Sequence, residues 1–310
     1  MSSIQIKQVD AFTTKPFTGN PAGVVLDADH LSSKDMQRIA NEMAVSETVF
    51  VLKPSTEEYD VKLRWFTPKS EVDLCGHATI AAFHVMAENG RFDLIVDEDQ
   101  SFNVETKSGM LTVDVEWKDH QPYIVMSLPV PRFFPFPDDY NLLCAAIGIS
   151  EVELSKKVKP QITDNGYCYV PLSTYDSLET LEPNFMLMKK LKERHDLEGF
   201  AVVTTETGDN DVDWYMRFFA PSLGVNEDPV TGSANGPMGV FLYKNGLLEK
   251  SKKLITLRGA QGHFINRPGY VTVTMLISKN NAVDDLRISG QAVTVLEGAI
   301  RTHVNIPEKL

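Results

Sequence analysis

Residues 64–90, RWFTPKSEVDLCGHATIAAFHVMAENG, decide the fold because they recur in outline later in the same chain. The second copy is RFFAPSLGVNEDPVTGSANGPMGVFLYKNG at residues 217–246. Each copy places an Arg-aromatic-Phe-x-Pro segment before a glycine, and that glycine opens an apolar stretch that ends at Asn-Gly. Because the order is the same in both copies, the sequence predicts two homologous halves.

A further pair of matching segments extends the repeat beyond these two copies. GMLTV at 109–113 is echoed by GYVTV at 269–273. One such match could arise by chance, since strand-turn-helix patterns are common, but several matches in the same order are hard to explain in that way. A chain of 310 residues is also longer than one compact core usually supports. We therefore expect two domains with a cleft between them.

The apolar stretch after each glycine predicts an unusual helix. Residues 77–88 leave almost no polar face, so a helix here should be enclosed by sheet. Its counterpart at 233–244 is rich in small residues, which let strands approach closely. If the halves face one another about a pseudo-twofold axis, the helix starts at Gly76 and Gly232 meet at one cleft. The unpaired N–H groups there would bind a small carboxylate.

The rest of the first half predicts strands and one more helix. Segments rich in β-branched and aromatic residues and bounded by turn residues favour strands. The predicted strands are IQIKQVDAFT (4–13), GVVLDA (23–28), TVFVLK (48–53), KLRWFT (62–67), NVETKSGMLTVDVEW (103–117) and YIVMSL (123–128). SSKDMQRIANEMA at 32–44 predicts a helix that Ser32 opens, with Asp35 completing a capping box.

Composition excludes several classes of protein. A formal net charge of −12 would repel nucleic acid and anionic membrane surfaces. Cys75, Cys144 and Cys168 are odd in number and lack CxxC spacing, so neither a disulfide framework nor a zinc site is indicated, and a reducing compartment fits best. No basic-then-apolar leader is present, and no apolar run approaches the ~20 residues that span a bilayer. We expect a soluble cytoplasmic protein without a metal.

Four stretches taken together resemble the phenazine-biosynthesis PhzF-like isomerase family. They are GNPAGVV at 19–25, SETVFVL at 46–52, RWFTPKSEVDLCGHATIAA at 64–82 and GVNEDPVTGSANGP at 224–237. The resemblance implies an α+β fold of two pseudo-symmetric domains, each a barrel-like sheet around a central apolar helix, as in diaminopimelate epimerase. It also implies a homodimer. The expected domains are 1–122 with a returning strand at 291–310, and 123–290.

The resemblance further implies an enzyme that needs no cofactor and acts on a small-molecule carboxylic acid. The phenazine member of the family moves a proton between carbons of a dihydro-hydroxyanthranilate ring. By this resemblance Glu47 would be the proton shuttle, while His77, Asp228 and Ser233 would bind and polarise the substrate. The positions that it assigns to substrate binding are Gly76, Gly232, Asn20, Cys75 and Thr231.

The position of Glu47 in the chain also supports an acid/base role. It lies between the end of the Ser32 helix and a predicted strand, where a carboxylate can project from a strand end. A partly desolvated carboxyl group can take a proton from one carbon and return it to another on the same face, provided that nearby donors stabilise the intermediate anion. Amide groups at a helix start would supply those donors.

Other interpretations stay open at this point. His77 could be an ordinary helix-start residue, Asp228 a turn residue and Ser233 a helix cap. Two-base racemases and epimerases of this superfamily place one thiol at each helix start, but the position that matches Cys75 is Thr231, so a two-cysteine mechanism is not available. The alternatives to the isomerase are an amino-acid racemase or epimerase, and a binding module without catalysis.

Overall fold

The computed structural model describes residues 2–249 and 251–302. The chain divides into two compact units, of which the first holds the residues up to Ser127 and those from Ser289 onward, and the second holds Leu128–Ile288. Each unit mixes helices with strands, which is the α+β fold that the family resemblance implies. Among the described residues no helix is long and apolar enough to cross a bilayer.

The described residues form 18 strands and six α-helices, each set numbered in chain order. The strands are β1 (Ser2–Ala11), β2 (Asn20–Val25), β3 (Glu47–Leu52), β4 (Val61–Phe66), β5 (Glu71–Val72), β6 (Gln100–Thr106), β7 (Gly109–Lys118), β8 (Gln121–Leu128), β9 (Phe133–Pro135), β10 (Gln161–Thr163), β11 (Tyr167–Leu172), β12 (Gly199–Thr204), β13 (Trp214–Ala220), β14 (Val225–Asp228), β15 (Leu254–Gln261), β16 (Gly269–Ile277), β17 (Val283–Gly290) and β18 (Ala292–Thr302). The helices are α1 (Ser33–Met43), α2 (Gly76–Glu88), α3 (Tyr140–Ile147), α4 (Tyr175–Thr180), α5 (Phe185–His195) and α6 (Gly232–Lys244).

The first unit wraps a sheet around α2. Strand β1 is antiparallel to β18 and β2, β2 is parallel to β3, and β3 is antiparallel to β4. On its other side β4 pairs antiparallel with β5 and parallel with β6, after which β6, β7 and β8 follow as antiparallel neighbours. Helix α2 packs against β1, β2, β3 and β18 and is buried from Gly76 to Ala87. The predicted enclosed helix is confirmed.

The second unit repeats the same pairing pattern. Strand β11 is parallel to β12, β12 is antiparallel to β13, and β13 pairs antiparallel with β14 and parallel with β15. Strand β16 then pairs antiparallel with β15, as β7 does with β6. Helix α6 lies between β14 and β15 in the chain, where α2 lies between β5 and β6. The two homologous halves predicted from the repeat are therefore present.

Matched ion pairs mark the repeat at the level of side chains. The guanidinium of Arg64 in β4 contacts both carboxylate oxygens of Glu71 in β5, at 2.7 and 2.9 Å. In the second unit Arg217 in β13 contacts both oxygens of Glu227 in β14, at 2.9 and 2.8 Å. The hydrogen bonds from Arg64 lower the pKa of Glu71, which keeps this bidentate pair charged. Each pair fastens a short strand to the strand beside it.

The ends of the two central helices are matched as well. The side-chain amide of Asn89 donates to a carbonyl oxygen of α2 at 2.6 Å, and that of Asn245 donates to one of α6 at 2.9 Å. Gly90 and Gly246 follow with φ of 55° and 72°, in the left-handed region that glycine adopts at low cost. The Asn-Gly pairs that mark both copies in the sequence are therefore helix terminators.

Local details agree with the sequence in one place and differ in another. Helix α1 begins as predicted, since the Ser32 hydroxyl accepts a hydrogen bond from the backbone N–H of Asp35 at 3.2 Å. The single strand predicted at 103–117 is wrong, because β6 and β7 are separate strands joined by a two-residue turn. Gly109 leaves that turn with φ of 108°, which breaks the extended conformation.

Elements approach one another closely at Gly259 in β15. A Cβ atom at Gly259 would lie 2.5 Å from the indole ring of Trp214 and would also strike the amide of Asn235 in α6. A similar constraint applies to Gly239 in α6, where a Cβ would lie 2.9 Å from Val273. The small residues of α6 and β15 thus allow helix and sheet to approach, as the composition of 233–244 predicts.

We expect Gly259→Ala to destabilise the protein by about 1–3 kcal/mol, because the added methyl group overpacks a rigid site. Urea unfolding measures the loss. Gly298→Ala in β18 is the matched control, since the nearest atom to its Cβ would be 3.9 Å away. Equal urea midpoints for the two variants would contradict this expectation, because they would show that Trp214 and Asn235 move aside at little cost.

Candidate active site

Two strand starts and one helix start come together in the first unit. Asn20 and Glu47 are the first residues of β2 and β3, which run parallel with Ala22 opposite Glu47. Parallel strands begin at the same edge of a sheet, so the side chains at these two positions lie close together. Helix α2 packs against both strands and begins at Gly76. Glu47 and His77 of α2 therefore meet at this edge.

The carboxylate of Glu47 lies against the imidazole of His77. Oε2 of Glu47 is 3.3 Å from Nε2 of His77. The side chain of Glu47 is 18 % exposed and that of His77 is 7 % exposed, so the pair is largely withdrawn from water. A carboxylate in such a setting interacts more strongly with a nearby donor than it would at the surface. The structure thus brings together the two residues that the sequence singles out in this half.

Burial decides the charge of His77. It lowers the pKa of His77 to about 3, although an acidic group lies beside the ring. Desolvation disfavours the charged imidazolium form, and here it outweighs the attraction of the carboxylate. At neutral pH His77 is therefore an uncharged hydrogen-bonding group. It cannot act as an imidazolium acid under those conditions.

A polar chain lies behind His77. The amide nitrogen Nδ2 of Asn20 is 3.3 Å from Nδ1 of His77, and the hydroxyl of Ser46 donates to Oδ1 of Asn20 at 3.1 Å. Asn20 is completely buried. Ser46, which directly precedes Glu47, is a residue that the sequence reasoning missed. Its place inside the SETVFVL stretch was the signal that could have identified it.

Cys75 adds a sulfur to the same cluster. Its Sγ lies 3.5 Å from Nδ1 and 4.0 Å from Nε2 of His77. One donor atom each from Glu47, Cys75 and His77 lie within 4.8 Å of one another, so these side chains could together hold a metal ion. The spacing of the sequence did not predict that arrangement. Direct contacts among these side chains, such as the hydrogen bond between Cys75 and His77, are an alternative that requires no metal.

The start of α2 keeps its anion-binding capacity. Cys75 occupies the N-cap position, but its side chain makes no capping hydrogen bond. The hydroxyl of Thr79 turns back to the carbonyl oxygen of Cys75 at 2.7 Å. The N–H groups of the first turn, which include those of Gly76 and His77, are thus not capped by the N-cap side chain. Such a helix start favours a negatively charged group.

In the second unit the predicted residues Asp228 and Thr231 belong to a buried network. The hydroxyl of Thr231 donates to Oδ2 of Asp228 at 2.5 Å. Gln261 accepts from the backbone N–H of Thr231 at 3.0 Å and donates to the carbonyl oxygen of Asp228 at 2.8 Å. Its amide also donates to the Thr231 hydroxyl at 3.1 Å. Gln261 thereby holds the segment that leads into α6.

The same network reaches into α6 through Asn235. Its amide donates to Gln261 at 2.8 Å and to the carbonyl oxygen of Thr231 at 3.0 Å, while its oxygen accepts from the indole N–H of Trp214 at 2.9 Å. The sequence reasoning missed Gln261, Asn235 and Trp214. They are far apart in the chain, and no local pattern links them. Their fully paired polar atoms make this helix start rigid.

The residues at the start of α6 and at the starts of β11 and β12 differ from those at the corresponding positions of the first unit. The hydroxyl of Ser233 lies 3.0 Å from that of Tyr167, the first residue of β11. The start of β12, which corresponds to β3, is Gly199 instead of a glutamate. A Cβ atom at Gly199 would lie only 2.3 Å from the ring of Phe218. The second unit thus has no carboxylate at the first position of β12, the position that corresponds to Glu47 in β3.

Comparison with known proteins matches nearly the whole chain to one family. Residues 9–298 match the family described as Phenazine biosynthesis-like protein, PhzC-PhzF. An uncharacterized isomerase of Clostridium acetobutylicum is 36 % identical over 94 % of this chain and 96 % of its own. A trans-2,3-dihydro-3-hydroxyanthranilate isomerase of Pseudomonas chlororaphis is 33 % identical over 94 % and 97 %. The crystal structure of a PhzF-family phenazine biosynthesis protein of Bacillus anthracis has a TM-score of 0.88 and 34 % identity, covering 97 % and 100 %.

The depressed pKa of His77 predicts that the protein becomes less stable as the pH decreases. Below pH 6.5, the ordinary pKa of histidine, His77 binds a proton in the unfolded chain but not in the folded protein. Unfolding is therefore favoured as the pH drops. For one group this costs at most about 1.4 kcal/mol per pH unit. Between pH 7 and pH 5 the wild type should therefore lose more free energy of unfolding than His77→Gln does, as urea titrations would measure.

His120→Gln serves as the control for that measurement. His120 is exposed, and its hydrogen bond with Asp97 raises its pKa, so its replacement should not flatten the pH dependence. Parallel pH profiles for wild type and His77→Gln would show that His77 is protonated in the folded protein.

Proposed function

Since the chain belongs to the phenazine biosynthesis-like family and is an isomerase, we propose that it relocates a proton on a small cyclic or unsaturated amino or hydroxy acid, with Glu47 as the acid/base group and without a cofactor. The observation that carries this proposal is the pairing of a largely buried carboxylate with a neutral histidine at an uncapped helix start. The enzyme interpretation is preferred to a non-catalytic binding module because relatives over nearly the whole chain are isomerases.

Glu47 is the better acid/base group of the two candidates. His77 is neutral and buried, so it lacks the additional proton of an imidazolium acid, and with a pKa of about 3 it is also a weak base. Its ring can still bind hydrogen-bonding partners. A carboxyl group, by contrast, can hold a proton transiently and return it, and partial desolvation helps it to do so. His77 then serves to orient and polarise.

The proposed reaction conserves atoms and electrons without another reactant. Glu47 takes a proton from a carbon, so that a C–H bond breaks and a carboxyl O–H bond forms. The electron pair left behind spreads over the unsaturated system and its carboxylate. The N–H groups at the start of α2 stabilise that negative charge. Glu47 then gives the proton to a second carbon on the same face, which completes the isomerisation.

The remaining assignments stay predictions. Substrate-binding roles for Gly76, Gly232 and Thr231 follow from the resemblance and from the helix starts at which they lie. The roles of Asp228 and Ser233 have the same basis. A homodimer and a cytoplasmic location also stay predictions. The named substrate of the Pseudomonas chlororaphis relative, trans-2,3-dihydro-3-hydroxyanthranilate, is the first compound to try.

Glu47→Gln tests the proposal, because it keeps the size of the side chain and removes the exchangeable carboxyl proton. We expect its kcat to fall by at least about 10²-fold, the usual contribution of a general acid or base. Turnover and hydrogen exchange with deuterated solvent are measured on trans-2,3-dihydro-3-hydroxyanthranilate and on a set of unsaturated amino and hydroxy acids. Glu42→Gln, an exposed glutamate of α1, is the matched control.

Unchanged turnover in Glu47→Gln, with a substrate that the wild type converts, would remove Glu47 from the mechanism. Ligand-induced stabilisation without turnover or hydrogen exchange, across the whole set, would indicate that the site binds acids without isomerising them.

Cys75→Ser separates this proposal from thiol and metal chemistry. Cys75 lies beside His77, but Thr231 occupies the matching position in the second unit, and β12 begins with Gly199. The second unit therefore does not repeat, at these two positions, the thiol and the carboxylate of the first. We expect Cys75→Ser to keep most of the wild-type kcat. A loss of 10²-fold or more with Glu47 intact would favour a thiolate or a metal held by the cluster.

Cys144→Ala is the control for the general effect of replacing a buried thiol. Cys144 lies in the core of the second unit, and burial raises the pKa of its thiol to about 11, so it is not reactive.

A further inference from the structure

Glu47 stands at the end of a chain of three polar contacts. Ser46 contacts Asn20, Asn20 contacts Nδ1 of His77, and Nε2 of His77 contacts Glu47, at 3.1, 3.3 and 3.3 Å. Ser46 and Glu47 are neighbours in sequence, so the chain begins and ends on adjacent residues. It passes through a fully buried amide and a buried imidazole. Each contact in such a chain constrains the direction of the next.

The first contact sets the orientation of the Asn20 amide. The Ser46 hydroxyl can donate a single proton, and its nearer acceptor is Oδ1 of Asn20 at 3.1 Å rather than the carbonyl oxygen of Pro21 at 3.4 Å. With Oδ1 turned toward Ser46, the NH2 group of Asn20 faces Nδ1 of His77. That group can donate but cannot accept.

The second contact sets the tautomer of His77. A neutral imidazole carries one N–H, on either Nδ1 or Nε2. Nδ1 faces the Asn20 NH2 group, and its other neighbour is the thiol of Cys75 at 3.5 Å, which is a weak donor. A thiol can either donate or accept, so the Asn20 NH2 group, which can only donate, decides the matter and requires the lone pair of Nδ1. The proton therefore lies on Nε2, which faces Glu47.

We propose that Asn20, held by Ser46, is a positioning residue that fixes His77 in the Nε2–H tautomer, so that the ring donates a hydrogen bond to the Glu47 carboxylate. The tautomer stands on the geometry alone, while its catalytic consequence rests on the proposed function. An Nε2–H donor stabilises the ionised carboxylate and orients Oε2. Glu47 is then ready as a base before the substrate arrives.

The opposite tautomer would have the reverse effect. With the proton on Nδ1, the lone pair of Nε2 would face the lone pairs of Glu47 Oε2 at 3.3 Å. The repulsion would be relieved only by protonation of the carboxyl group, and a protonated carboxyl group cannot take a proton from carbon. The amide of Asn20 thus decides whether the resting enzyme holds a base or an acid.

Nitrogen NMR of the protein labelled with ¹⁵N-histidine tests the tautomer without any substrate. The full-length wild type is recorded at pH 7, and the His77 signals are identified by their absence from His77→Gln. We expect the pattern of a neutral ring that is protonated at Nε2. A ring protonated at Nδ1, or at both nitrogens, would overturn the proposal.

Asn20→Asp tests the cause, because the introduced carboxylate can only accept and so draws a proton to Nδ1. We expect the Nε2–H pattern to disappear, and kcat to fall by at least about tenfold, as for other residues that orient a functional histidine. KM should change little, whereas a substrate-contacting Asn20 would raise it. Asn41→Asp, at an exposed position of α1, is the control and should retain both the tautomer and kcat.

The outcomes separate this inference from the proposed function. If Asn20→Asp keeps the Nε2–H pattern, or if it loses that pattern with kcat unchanged, the positioning role is wrong. The role of Glu47 itself is decided by Glu47→Gln. If Asn20→Asp does not fold, the wild-type spectrum still decides the tautomer, and Ser46→Ala replaces the variant. We expect Ser46→Ala to show a mixture of the two tautomers, and a pure Nε2–H ring in it would count against the chain.

Discussion

Helix α2 has no polar face, and this constraint organises the first unit. A helix that is buried from Gly76 to Ala87 needs a sheet on every side, and the strands that contact it close around it. Enclosure along the axis leaves only the ends of the helix available for chemistry. The parallel strands β2 and β3 begin beside the helix start, so their first residues, Asn20 and Glu47, reach His77. The site is therefore a consequence of how the core is covered.

The duplicated unit shows which parts of this arrangement serve the fold and which serve the chemistry. Both units keep the strand pairing, the bidentate Arg–Glu pair and the Asn-Gly helix terminator. They differ at the helix starts. In the first unit the polar contacts lead to a carboxylate, whereas in the second they form a closed network that Gln261 and Asn235 complete. One fold thus carries a carboxylate beside the helix start in one copy and a rigid helix start in the other.

The repeat in the sequence was sufficient to predict the two halves and the enclosed helix, because recurring segments and long apolar stretches are local signals. The family resemblance supplied the chemical roles. The partners of the site were harder to predict. Ser46 adjoins Glu47, but its direction toward Asn20 depends on the parallel register of β2 and β3. Gln261 and Trp214 contact α6 only in the folded chain, so their positions in the sequence do not indicate that they belong to this network. The turn between β6 and β7 was missed although residues 105–109, ETKSG, contain no apolar side chain and end in a glycine.

The Asn-Gly terminators of α2 and α6 also have a consequence for chemical ageing. An asparagine followed by glycine is prone to deamidation, because glycine offers little steric hindrance to attack by its backbone nitrogen on the side-chain amide. In both helices that amide is occupied as a donor to a carbonyl oxygen. Conversion of Asn89 or Asn245 to aspartate would replace the donor with an anion at the negative end of a helix dipole. Slow hydrolysis at these two positions would therefore destabilise the C-terminal ends of α2 and α6.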